Sequence, residues 1–81
     1  MEIDERVKDI VAEVLEVPSG TIAPEARLGE DLCADSLHKV ELVMALEKAF
    51  DIEISEVIAQ GFISVQDVVD CVTRSYKVAH P

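Results

Sequence analysis

The sequence predicts an all-α fold: a four-helix bundle of three longer helices and one short one, with a long loop between helices 1 and 2. Three observations carry this. Apolar residues recur at helical spacing through three separate stretches. Polar capping residues stand at the start of three of the expected helices. The one alternating tetrapeptide, Asp51-Ile52-Glu53-Ile54, has no second strand to pair with and reads as a linker. With 81 residues the chain makes a single domain, 1–81, with one modest core.

The first helix carries Ile3, Val7, Ile10, Val11, Val14 and Leu15 on one face, with Glu2, Asp4 and Glu5 at its positive end. Glu16-Val17-Pro18-Ser19-Gly20 is expected to end it, because proline and glycine oppose continuation. From Val17 to Ala34 no period persists. Ile22, Leu28 and Leu32 are expected to pin an ordered loop, and loops this long in small domains are usually functional or packed.

Helix 2 is expected from Ser36 to about Phe50, with the Asp35 carboxylate capping its first amides. This puts the Ser36 hydroxyl at the positive end of a helix, where a phosphate is favoured. Leu42, Leu46, Ala49 and Phe50 form one apolar stripe. Leu37, Val40 and Met44 form a second, bordered by Glu41 and Glu47, and periodicity alone leaves open whether that second stripe is core or an exposed ridge.

Ser55 is expected to cap a short helix through Gln60, and Gly61, being able to take positive φ, is a natural stop for it. The last helix starts at Ser64 as N-cap, with Asp67 in the capping box and Ile63 placed to staple on Val68. Val65, Val68, Val69 and Val72 face inward, and Arg74 and Lys77 complement the dipole near its end. Residues 1–2 and 78–81 are expected to fray.

Composition narrows the function classes. Aromatics are 4% of residues and tryptophan is absent, so the core is aliphatic. A net charge of −10 repels nucleic acid and anionic membranes and favours partners with basic patches. Between Glu25 and Glu56 stand nine acids and three bases, so six of the ten net negative charges lie in the centre of the chain. No apolar run approaches the ~18 residues of a membrane span. Cys33 and Cys71 are too few for a disulfide framework, consistent with the cytoplasm. There is no glycine-rich phosphate loop and no Cys/His metal set. Asp35, Ser36 and His38 are too close along one helix start to align as a catalytic triad.

Asp35-Ser36-Leu37 opening a helix, followed by Val40-Glu41-Leu42-Val43-Met44-Ala45-Leu46-Glu47, resembles an acyl carrier protein of the dissociated (type II) fatty-acid kind. The resemblance spans nearly the whole chain and is most specific from Glu30 to Ile54. It implies that Ser36 receives 4′-phosphopantetheine from coenzyme A through a phosphodiester. Acyl groups then ride on the terminal thiol as thioesters, and the chain itself is no enzyme. Asp35 would take part in recognition by the phosphopantetheinyl transferase and its Mg²⁺. Leu37, His38, Val40, Glu41, Met44 and Glu47 would meet basic docking patches on acyl-transfer, condensing and reducing enzymes. Val7, Val11, Leu42, Leu46, Ile54, Phe62, Val68 and Val72 are candidate walls for an acyl chain. A monomer is implied, with no metal of its own.

Three departures from the family pattern bear on partner choice. Cys33 stands where glycine is usual, His38 where an acid is usual, and Lys48 where many relatives are acidic. They point to a carrier specialised for a secondary lipid pathway or an unusual acyl group. The alternatives are a polyketide or peptide carrier and, in a different class, an unmodified acidic interaction module.

Overall fold

A computed structural model describes residues 3–18, 20 and 22–80. It contains α1 (Ile3–Leu15), α2 (Ser36–Phe50), α3 (Glu56–Gln60) and α4 (Val65–Ala79), with no named strand among the described residues. The fold class is the expected one. Helix α2 packs on α1, α3 and α4, and α1 on α4, around an aliphatic core that includes Val7, Val11, Leu42, Leu46, Val68 and Val72. No polar or charged side chain of the described residues is buried. The expectations placed on Glu2, Ser19 and the outermost termini fall on residues outside those described.

Helix α1 ends earlier than proline and glycine would require. Glu16 takes a left-handed φ of 56°, and the Val17 amide returns to the Ala12 carbonyl at 3.0 Å. This is a Schellman-type end without glycine, and packing of Val17 against the core offsets the strain. Asp51 does the same for α2 at φ 54°, with the Ile52 amide on the Glu47 carbonyl. Gly61 stops α3, as expected, and does so at φ −84° without using the positive φ open to glycine. The Gly61 amide instead closes a tight last turn onto the Ile58 and Ala59 carbonyls.

The long loop is strapped to the start of α4, which sequence periodicity did not reveal. Arg27 and Ser64 form an isolated antiparallel bridge. The Leu28 amide donates to the Ile63 carbonyl, and the Val65 and Gln66 amides donate to the Ala26 and Pro24 carbonyls. Ile22 and Leu28 are buried and Leu32 half-buried, as a loop pinned by these three requires. Cys33 takes φ 59°, the third left-handed non-glycine residue among those described. A Cβ in this region strains the backbone, whereas glycine relieves it at some cost in unfolded-chain entropy. Cys33→Gly is therefore expected to stabilise the fold by about 0.5–1 kcal/mol, read as a higher urea midpoint at unchanged slope.

Helix α4 has the predicted capping box. The Asp67 amide donates to Ser64 Oγ, and Asp67 Oδ2 accepts from the Ser64 and Ile63 amides, both at 3.0 Å. These backbone donors hold the Asp67 carboxyl below the usual carboxylate range. A depressed native pKa stabilises above the unfolded value, and the benefit is lost as pH falls through the native one. The stability deficit of Asp67→Asn relative to wild type is thus expected to be greatest near neutrality. Urea titrations across acid pH should show it shrinking towards zero.

Ile63 stays 65% exposed, so the staple onto Val68 does not bury it; the strap to the loop holds this entry instead. At the other end of α4, Val78, Ala79 and His80 lie within the described residues. Helix α4 runs through Ala79, and the His80 ring stacks on Tyr76 at 4.3 Å while Nε2 lies 3.1 Å from the Phe50 carbonyl. Tyr76 in turn meets Phe50 edge-on, so an aromatic cluster ties this end of α4 to α2.

Candidate functional site

Helix α2 opens where the sequence predicts. Asp35 is the N-cap, its Oδ1 accepting from the His38 amide at 2.9 Å. The His38 ring completes a capping box, Nδ1 accepting from the Asp35 amide at 3.2 Å. The His38 amide is the chief reason that the Asp35 carboxyl lies below its ordinary range, so Asp35 is an anion at neutral pH. The sequence assigned His38 to an interaction surface and missed this capping role. A side chain able to accept at N3 is the signal that could have found it.

Ser36 is the first helical residue and is exposed. Asp35 and His38 do touch, Nδ1 to Oδ1 at 3.2 Å, but among the described residues no hydrogen bond joins Ser36 Oγ to His38. The triad is not assembled. Instead, Ser36 opens into a groove of about 390 Å³ between α2 and α3, lined also by Lys39, Val40, Val43, Met44, Ile54, Glu56, Ala59 and Gln60. Lys39 stands one turn from Ser36 on the same side of the helix, a cation that sequence reasoning passed over.

Of the eight candidate acyl walls, only Ile54 lines this groove. The other seven are buried in the core, and Val40, Val43, Met44 and Ala59 supply the rest of the groove's apolar lining. A larger hollow of about 750 Å³ runs along the α2–α3 linker and α4 past Asp51, Glu53, Cys71 and Arg74. It shares no lining residue with the groove at Ser36.

The second stripe of α2 faces solvent. Leu37, Val40 and Met44 are 64%, 55% and 63% exposed, whereas Leu42, Leu46 and Phe50 are buried. Ala49, assigned to the buried stripe, is exposed; it sits on the α1 flank beside a shallow hollow with Ile10 and Lys48. Glu41 is exposed on the ridge and pairs with none of the described residues, but Glu47 is half-buried and its Oε2 accepts from the Ile54 amide at 2.9 Å. Glu47 thereby holds the α2–α3 linker against α2.

The sequence matches the family model described as phosphopantetheine attachment site over residues 5–72. This chain belongs to the acyl carrier protein family. A solved structure of a candidate acyl carrier protein from Mycobacterium tuberculosis is 32% identical over 96% of this chain and 99% of that one, with a TM-score of 0.80. The apo doublet acyl carrier protein from prodigiosin biosynthesis shares the fold, with a TM-score of 0.77. It is 18% identical over 89% of this chain, which spans 35% of that longer one.

The prosthetic group of this family is covalent 4′-phosphopantetheine, and the residues of this carrier suit it. An accessible hydroxyl stands at a helix N-terminus, where backbone dipoles favour a phosphodiester. Lys39 adds a positive charge beside it. Val40, Val43, Met44 and Ile54 give the adjoining groove an apolar lining that a pantetheine arm would fit. Among the described residues no cluster of His, Cys, Asp or Glu has the arrangement of a metal site, and no helix is long and apolar enough to cross a membrane.

Proposed function

We propose that this chain carries acyl intermediates as thioesters on 4′-phosphopantetheine attached to Ser36, and shuttles them between enzymes of fatty acid or related lipid synthesis in the cytoplasm. The observation that carries this reading is the exposed Ser36 hydroxyl, first in α2, directly after an ionised Asp35 and at the mouth of the α2–α3 groove.

Loading requires that Ser36 Oγ lose its proton to a base of the transferase and bond to phosphorus as the nucleotide part of coenzyme A leaves. Asp35, held ionised and exposed, is suited to face the Mg²⁺ of that transferase. The exposed hydroxyl gives the transferase access without unfolding any part of the helix. Once bound, the group supplies a thiol for thioester chemistry. The chain's own residues contribute position: the α2 dipole and Lys39 steady the phosphodiester, and the groove shelters part of the cargo. Catalysis belongs to partners that dock on Leu37, Val40, Met44 and Glu41, where central negative charge favours fast, salt-sensitive encounters.

Incubation with coenzyme A and a promiscuous phosphopantetheinyl transferase, followed by intact mass measurement, tests the reading. One added phosphopantetheinyl unit is expected, and an unmodified chain would sink it in favour of an acidic interaction module.

A second reading, a carrier specialised for one pathway, is favoured by His38 and Lys48 on the face where an acidic docking surface is expected. Turnover by standard fatty-acid synthase enzymes equal to that of a housekeeping carrier would overturn it.

A further inference from the structure

The exposed ridge of α2 is not uniformly acidic. Leu37, Glu41, Met44 and Lys48 recur at i, i+4, i+7 and i+11 and so share one face, opposite the buried Leu42, Leu46 and Phe50. Glu41 and Lys48 are both exposed, and neither makes an ion pair among the described residues. Glu13 of α1 lines the same shallow hollow as Lys48 without pairing with it. Lys48 stands seven positions after Glu41, about 10 Å along the helix axis, with the exposed Met44 between them. The ridge therefore presents an apolar centre flanked by one free negative and one free positive charge.

We infer that this ridge docks a partner enzyme of matching bipolar surface: an apolar cleft for Leu37 and Met44, a basic side chain opposite Glu41, and an acidic side chain opposite Lys48. The inference rests on the carrier reading and deepens it by naming the chemistry of the partner. An antiparallel second copy would also pair Glu41 with Lys48, but a chain of net charge −10 repels its own copy. The matching surface accordingly belongs to a different protein. Lys48 is then a specificity determinant, since it adds repulsion against a purely basic patch and attraction towards a mixed one.

Wild type, Glu41→Lys, Lys48→Glu and the double swap Glu41→Lys/Lys48→Glu are loaded to completion, checked by intact mass and circular dichroism, and acylated. Then kcat/KM is measured with the acyl-transfer and condensing enzymes that turn over the acylated wild type. Lys48→Glu makes the chain two charges more negative, so simple attraction to a basic patch predicts faster turnover. Bipolar docking instead predicts about a tenfold lower kcat/KM, through KM with kcat retained. It predicts a similar loss for the double swap, whose net charge equals that of wild type. Lys48→Glu as good as or better than wild type with every such enzyme overturns the inference, as does a double swap that behaves like wild type. A wild-type dimer in sedimentation that Lys48→Glu dissolves also overturns it, by assigning the ridge to a second copy. Failure of the wild type to load would count against the carrier reading itself and is visible before any docking is measured.

Discussion

Ser36→Ala is expected to leave the bundle folded and abolish attachment of the prosthetic group. Ser36 is exposed and sits at the first helical position, and the cap that holds this end of α2 comes from Asp35 and His38, not from its hydroxyl. Alanine is also a better helix former than serine, so stability should change by less than about 0.5 kcal/mol. The hydroxyl oxygen is the one atom that attachment cannot replace. Intact mass after treatment with coenzyme A and a promiscuous transferase should therefore show the added unit in wild type and none in the variant, with matching circular dichroism spectra. Equal mass gain in both would move the attachment point elsewhere in the chain and remove Ser36 from the mechanism.

Leu28→Ala should have the largest effect on stability. Leu28 lies in a loop, yet it is fully buried, and its backbone joins the loop to both of its neighbours. Its amide donates to Ile63 at the start of α4, and its carbonyl accepts from Ala34 at 2.7 Å, one residue before the α2 cap. Truncation removes buried methyl groups and leaves a cavity, at a cost of about 3 kcal/mol. Domains of this length are stable by only about 4–12 kcal/mol, so the variant should lie near the edge of folding. Urea unfolding should show a midpoint lower by at least about 1 M. Loading of Ser36 should slow at temperatures where the variant remains folded, because the loop sets the approach to Asp35. Leu37→Ala, at an exposed position of similar hydrophobicity, should cost less than about 0.5 kcal/mol. Equal effects at the two positions would mean that the loop is not part of the core.

The two predictions probe different kinds of information. Helix starts are written locally: Asp35, Ser55 and Ser64 each accept the amide three residues on, an interaction contained within four consecutive residues. Helix ends were less legible. Glu16 and Asp51 adopt left-handed conformations that local propensity disfavours, and core packing of Val17 and Ile52 compensates for them. Similarly, the His80 ring reaches the Phe50 carbonyl and Tyr76 meets the Phe50 ring edge-on, joining the far end of α4 to the last turn of α2 across a separation that no local signal encodes.

The sequence by itself determined the helical bundle, its cap residues, and a serine with a preceding aspartate at a helix start. These follow from residue types acting on their own backbone within a turn. Which apolar stripe of α2 turns outward was a tertiary decision, because Leu37-Val40-Met44 and Leu42-Leu46-Phe50 are equally periodic. Packing against α1, α3 and α4 selected Leu42, Leu46 and Phe50 for burial. Tertiary structure also committed Glu47 to the Ile54 amide and opened the groove at Ser36 between α2 and α3, with Ile54 in its lining and the other seven candidate walls buried in the core. The physical reason is common to all three. A side chain's periodicity says that it can be buried, but only the neighbour that covers it decides whether it is.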